Sequence, residues 1–131
     1  MSNDRSSETI LIVDDDNSSR KMLKLLVEQE TFRALTAADG EEGFLLAKLQ
    51  HPQVILLDVI MPKVDGYKTL QRLKDDPDTQ LIPVIMLTAR GADKDVQTSF
   101  RLGAVFHVEK PFEVTDLMQK IQVALVRERT G

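Results

Sequence analysis

Ile10-Leu11-Ile12-Val13-Asp14-Asp15-Asp16 is the stretch on which the fold turns. Four apolar residues, three of them β-branched, run without interruption and stop on three carboxylates. An unbroken apolar run of this length fits a strand buried on both faces, as in a parallel sheet. The pattern recurs at Phe32 to Ala37, Val54 to Leu57, Val84 to Leu87 and Val105 to Val108. The intervening segments carry helical spacing instead. Val114, Leu117, Met118, Ile121 and Leu125 form an i, i+3, i+4, i+7, i+11 stripe. Met22, Leu23, Leu26 and Val27 make a similar face in the first segment, capped by Asp16 or Asn17. Asp39, with Glu42 three residues on, starts the second in capping-box fashion. Tyr67, Leu70 and Leu73 mark the third segment, and Val96 and Phe100 the fourth. Five strand–helix units in alternation predict an α/β three-layer sandwich. Its five-stranded parallel sheet is joined by right-handed crossovers, with five helices covering both faces.

Composition narrows the function. A chain of 131 residues supports one domain, set at residues 9–127, with a polar arm at 1–8 and a tail or linker start at 128–131. The absence of Cys excludes disulfide frameworks, thiolate metal sites and cysteine nucleophiles. Seventeen Lys and Arg against 21 Asp and Glu give a net charge of −4 with no basic run, which argues against direct nucleic-acid binding. The N-terminus has no apolar core for a signal or anchor, and the apolar runs are too short to span a bilayer. A cytoplasmic location and no membrane contact are therefore expected. Lys74-Asp75-Asp76-Pro77-Asp78 reads as a solvated loop closing the third helix.

The residues ending the strand runs carry the chemistry. Asp14, Asp15 and Asp16 follow the first run, Asp58 the third, Thr88 the fourth, and Lys110 with Pro111 the fifth. In an open parallel sheet these ends share one edge, where such folds bind ligands. Clustered carboxylates without Cys or His favour a hard cation, Mg²⁺ or alternatively Mn²⁺. Lys110 brings a compact positive charge for an anionic group, and Thr88 a hydroxyl donor. A carboxylate nucleophile beside a divalent ion, an ammonium and a hydroxyl is suited to accepting a phosphoryl group.

Ile10–Asp16, Leu56–Gly66 (LLDVIMPKVDG), Leu87–Ala89 (LTA) and Gly103–Phe112 (GAVFHVEKPF) together resemble the receiver domain of two-component response regulators. The likeness covers roughly residues 9–127 and brings with it the strand order 2-1-3-4-5. It implies that Asp58 is the phosphoacceptor. Asp15 and Asp58 would touch the metal directly, Asp14 through water, and the Ile60 carbonyl would complete the set. Lys110 would pair with the phosphoryl oxygens, and Thr88 would be the switch hydroxyl. The Lys110–Pro111 peptide would be cis, with Pro62 and Gly66 shaping the loop after Asp58. The resemblance further implies a sensor histidine kinase or histidine phosphotransfer protein that docks on the first helix. Output would pass through the fourth helix, fifth strand and fifth helix to a downstream partner or effector domain. It also allows a homodimer through the fourth and fifth helices. Such a domain is a signalling phosphoacceptor, not an enzyme, and catalyses only its own phosphorylation and dephosphorylation.

Three positions colour that picture. His107 stands where the family usually has Tyr or Phe as the switch aromatic; histidine is smaller and able to titrate near neutral pH, so either its charge state tunes the switch or it is simply a semi-exposed strand residue. Ile60 cannot hydrogen-bond a hydrolytic water, and Arg90 can reach phosphoryl oxygens; together they predict slow self-hydrolysis. Singly, each strand-end residue has an ordinary reading as a cap, turn or surface charge. Jointly and in register they do not. A haloacid-dehalogenase-type phosphatase, with Asp14 as nucleophile and Asp16 as acid/base, is the enzymatic rival. It lacks the acidic pair expected after the Lys. A docking-only degenerate receiver ranks below both because the reactive residues are all present. Flavin binding is discarded, because the Asp-rich first turn lacks phosphate donors.

Overall fold

Five strands, β1 (Thr9–Val13), β2 (Arg33–Ala37), β3 (Val54–Asp58), β4 (Val84–Ala89) and β5 (Phe106–Lys110), pair in parallel in the order β2-β1-β3-β4-β5. They belong to a computed structural model that describes residues 8–58, 66–89, 97 and 100–130. Four helices have defined bounds among the described residues: α1 (Asn17–Gln29), α2 (Gly40–Gln50), α3 (Gly66–Asp75) and α4 (Val114–Thr130). This is one fewer than expected. The missing element falls between β4 and β5, where Val96 lies outside the described residues and Gln97, Phe100 and Arg101 are helical. Most of the expected N-terminal arm is likewise outside them, although the Glu8 carbonyl accepts a hydrogen bond from Arg33 N at 3.0 Å.

The apolar runs look continuous in sequence, but the pleat sorts them by parity. Ile10, Ile12, Leu56, Ile85, Leu87 and Val108 bury one face of the sheet against Leu23 and Val27 of α1 and Leu117, Ile121 and Leu125 of α4. Leu11, Val13, Ile55, Leu57, Val84 and Met86 bury the other against Phe44 and Ala47 of α2 and Leu70 and Leu73 of α3. Gly43 lets α2 approach closely: a Cβ there would come within 2.7 Å of Val13 Cγ2, and the branched valine has little freedom to yield. Side-chain caps start two helices. Asp16 accepts from Ser19 N at 2.8 Å and Asp39 from Glu42 N at 2.8 Å, each cap worth about 1 kcal/mol.

Three features depart from the sequence reading. Met22 and Val114 were expected on core stripes but are 46% and 45% exposed. Both line a groove of about 300 Å³ between α1 and the start of α4. β4 extends through Thr88, which is therefore held inside the strand rather than after it. The run Lys74–Asp78 closes α3 with Asp75, Pro77 and Asp78 exposed as expected, but it is tied down more firmly than a solvated loop. Lys74 Nζ donates to the carbonyls of Gln80 at 3.0 Å and Ile82 at 2.7 Å, and Thr79 Oγ1 donates to Leu73 O at 2.6 Å. Asp76 pairs with Lys48 of α2 at 3.1 Å. A sequence cannot show that a lysine at a helix end will fold back under the next turn to satisfy its carbonyls.

Burial pushes the Lys74 ammonium down to about 8 from its usual 10.5. The folded state therefore releases this proton before the unfolded chain does. Below about pH 8 both states carry it and the burial penalty is present in full; from 8 towards 10.5 the penalty is relieved and stability rises. Denaturant titrations of wild type and Lys74→Met at pH 7 and pH 10 are expected to show wild type gaining stability relative to the variant. A constant difference would contradict this.

Candidate functional site

The carboxyl-terminal edge of the sheet gathers the strand-end residues. Val13 of β1 sits opposite Leu57 of β3, so one residue further along Asp14 comes beside Asp58. Asp58 is itself opposite Leu87, the residue before Thr88, and Lys110 is opposite Ala89. The crossover order places β1 and β3 at the switch of chain direction, where the strand ends open a crevice.

Asp14 and Asp58 are almost fully buried, at 0% and 2% exposure, and Asp15 is half-buried. Each of the three offers a carboxylate oxygen lying within 4.8 Å of those of the other two. Like charges this close repel in a poorly solvated site. One partial compensation is visible: Lys110 Nζ donates to Asp58 Oδ2 at 3.0 Å. Among the described residues, three carboxylates and one ammonium leave two negative charges in excess, which suits a divalent cation. The all-oxygen donor set fits a hard ion. Both oxygens of Asp14 already accept hydrogen bonds, Oδ1 from Asp16 N at 2.9 Å and Oδ2 from Ser19 Oγ.

Thr88 is buried (2%), and the Lys110–Pro111 peptide is cis. His107 is half-buried, opposite Met86, with its ring tilted 56° against Phe100 at a centroid distance of 5.0 Å. Ile60, Pro62 and Arg90 lie outside the described residues, so their expected places in the site are not seen. Gly66 begins α3.

The sequence reading missed two residues. Ser19 bonds the Asp14 carboxylate, and Arg20 Nη1 donates to the Asp14 carbonyl at 2.8 Å while its Nη2 reaches Asn17 Oδ1 at 2.9 Å. The available signal was position. Ser19 is three residues after the cap Asp16, so it stands in the first turn of a helix rising directly from the acidic strand end.

No helix among the described residues is long and apolar enough to cross a membrane. Residues 10–122 match the family model described as the response regulator receiver domain. The chain is 42% identical over 122 residues to the probable transcriptional regulator ycf27 of Cyanophora paradoxa, covering 93% of this chain and 50% of that protein. It is 38% identical over 118 residues to the DNA-binding dual master transcriptional regulator RpaA of Synechocystis, covering 90% and 49%. The chain thus spans about half the length of the curated relatives it matches. Among solved structures, the chemotaxis protein CheY4 of Vibrio cholerae superposes with a TM-score of 0.84 at 29% identity, covering 90% of this chain and 98% of that one. With the sheet order, the acidic cluster and the matched segment in agreement, the chain belongs to the response regulator receiver domain family.

Proposed function

We propose that Asp58 accepts a phosphoryl group from the histidine of a sensor kinase or phosphotransfer protein, in a Mg²⁺-dependent reaction. The Asp58–Lys110 contact at 3.0 Å beside the Asp14 and Asp15 carboxylates carries this reading. A carboxylate oxygen of Asp58 attacks phosphorus, the new O–P bond forms as the P–N bond of the donor breaks, and the freed imidazole nitrogen takes a proton from solvent. Asp58 is held at the end of a buried strand, so the attack geometry is set by the sheet. Lys110 offers its ammonium to the transferring oxygens, which carry spread negative charge. Mg²⁺ (or Mn²⁺), held by Asp15, Asp58 and the Ile60 carbonyl and by Asp14 through water, would add positive charge at the same oxygens. The chain acts here as a signalling phosphoacceptor and catalyses only the gain and loss of its own phosphoryl group.

Once Asp58 is phosphorylated, the Thr88 hydroxyl and Lys110 are drawn to the new oxygens. The space that Thr88 leaves is taken by the ring of His107, whose packing against Phe100 then changes. That alters the surface made by the segment before β5, by β5 and by α4, and a downstream partner or effector domain reads it. A homodimer through the same surface is a second use of it. The histidine-bearing donor docks on α1, where the groove lined by Met22, Leu26, Phe112 and Val114 also reaches Lys110. The acidic chain is not proposed to contact nucleic acid itself. A cytoplasmic setting follows from the kinase partner.

The deciding experiment treats the protein with acetyl phosphate and Mg²⁺ and maps the acyl phosphate. Label at Asp58 supports the receiver, label at Asp14 the phosphatase, and no label a docking-only module. Two further expectations belong to this reading. Ser19→Ala frees the Asp14 carboxylate from its hydroxyl donor and is expected to weaken Mg²⁺ binding about tenfold, read by calorimetric titration. Ile60→Asn is expected to speed loss of phosphate from Asp58, because an amide can orient the attacking water where an isoleucine cannot; an unchanged decay would contradict the slow self-hydrolysis ascribed to Ile60 and Arg90.

A further inference from the structure

Four cations of the described chain are matched to carboxylates: Lys48 to Asp76 and Asp78, Arg72 to Glu41, Lys110 to Asp58 and Lys120 to Asp116. The first two turns of α1 bring three further cations together. Among the described residues Arg20 donates to neutral oxygens, the Asp14 carbonyl and Asn17 Oδ1. Lys21 and Lys24 are exposed and make no ion pair or hydrogen bond among the described residues. Arg20, Lys21 and Lys24, with Asn17 and Thr36 of β2, line one cleft of about 230 Å³ that has no carboxylate in its wall. Arg20 and Lys24 are four residues apart and Lys21 and Lys24 three apart, so like charges meet on one helical face and repel. On a chain of net charge −4, a cleft with three uncompensated cations is a local reversal of sign.

The chemistry favours a phosphorylated ligand. The two hydrogen bonds of Arg20 hold its guanidinium in place, which lowers the ordering cost of contacting a planar or tetrahedral anion. Two lysines add mobile point charges, and the Thr36 hydroxyl and Asn17 amide add neutral donors. The cleft is smaller than the roughly 300–1,000 Å³ of sites that enclose a whole drug-sized ligand. It suits one or two phosphate groups with the rest of the molecule outside. It also lies apart from the groove through which the phosphoryl donor is proposed to approach, which is lined by Met22, Leu26 and Phe112. We propose that the α1–β2 cleft binds the phosphate or diphosphate group of a small-molecule ligand.

The test titrates metal-free protein with inorganic pyrophosphate at constant ionic strength, following backbone amide shifts by NMR. Saturable shifts at Asn17, Arg20, Lys21, Lys24 and Thr36 are expected. A Lys21→Ala/Lys24→Ala variant should melt like wild type, since both positions are exposed on a helix, and should bind at least about tenfold more weakly. Orthophosphate in parallel separates a one-phosphate from a two-phosphate ligand, and binding of either supports the site. Three results would overturn it: non-saturating shifts spread over all exposed cations, saturable shifts confined to Asp58, Thr88 and Lys110, or undiminished binding by the double variant.

Discussion

Asp58→Asn is expected to take up no phosphoryl group from acetyl phosphate and to be more stable than wild type in the absence of divalent metal. The first effect follows from chemistry. An amide oxygen lacks the charge and lone-pair availability of a carboxylate, and removing a nucleophile outright has cost on the order of 10⁶ in rate where it has been measured. Undiminished labelling in the variant would overturn the central assignment. The second effect is a matter of competing terms. The substitution gives up the Lys110 pair, which stabilises, and one of three crowded carboxylates, which destabilises. Counted over the described residues, the site goes from two excess negative charges to one. The introduced amide oxygen can still accept a hydrogen bond from Lys110, whose side chain is 27% exposed and can reach water, so relief of repulsion prevails. Metal reverses the order. A ligand at 100 times its Kd stabilises the folded state by about 2.7 kcal/mol, and the variant forfeits most of this. Thermal melts with and without Mg²⁺ read both signs; a variant less stable than wild type without metal would refute the charge argument.

Lys110→Ala is expected to move the other way. It takes from Asp58, 2% exposed beside Asp14 and Asp15, the ammonium that pairs with it among the described residues. Breaking a fully buried pair costs about 3–5 kcal/mol; with Lys110 partly exposed the loss should be about 1–3 kcal/mol in metal-free protein. Added Mg²⁺ should recover much of it by supplying the missing charge. Phosphoryl uptake should not recover with it: loss of one preorganised charge aimed at the transferring oxygens slows such reactions by about 10²–10³. Melting curves and labelling time courses at saturating Mg²⁺ separate the two roles. Normal labelling rates would remove Lys110 from the reaction, and unchanged metal-free stability would show that the 3.0 Å contact is not a stabilising pair.

The fold was legible because its signals are redundant. Five apolar runs, most of them rich in β-branched residues, alternate with helical spacings, and each misplaced boundary moved by only a few residues, as where β5 runs from Phe106 rather than Val105. Periodicity did not reveal which face each residue takes. In Ile10-Leu11-Ile12-Val13 every residue is apolar, so the assignment of Ile10 and Ile12 to the α1–α4 side needs the packed sheet. Strand order was legible only through the family resemblance. Helical stripes overcalled burial at Met22 and Val114, because a stripe shows which residues can face a neighbour but not where the neighbour ends.

What the sequence alone determined is the inventory of the site: carboxylates at the first and third strand ends, a hydroxyl at the fourth, a lysine at the fifth. These follow from local rules, since a strand must stop and the residue at its stop is visible. What only the tertiary structure decided is who touches whom. Ser19 on Asp14, Arg20 between Asp14 and Asn17, Lys74 under the carbonyls of Gln80 and Ile82, and the unmatched cations of the α1–β2 cleft all depend on side-chain reach across elements. The physical reason is that apolar burial is encoded by periodicity along the chain, whereas hydrogen bonds and ion pairs act over about 3–4 Å and wait on the packing that brings their partners together.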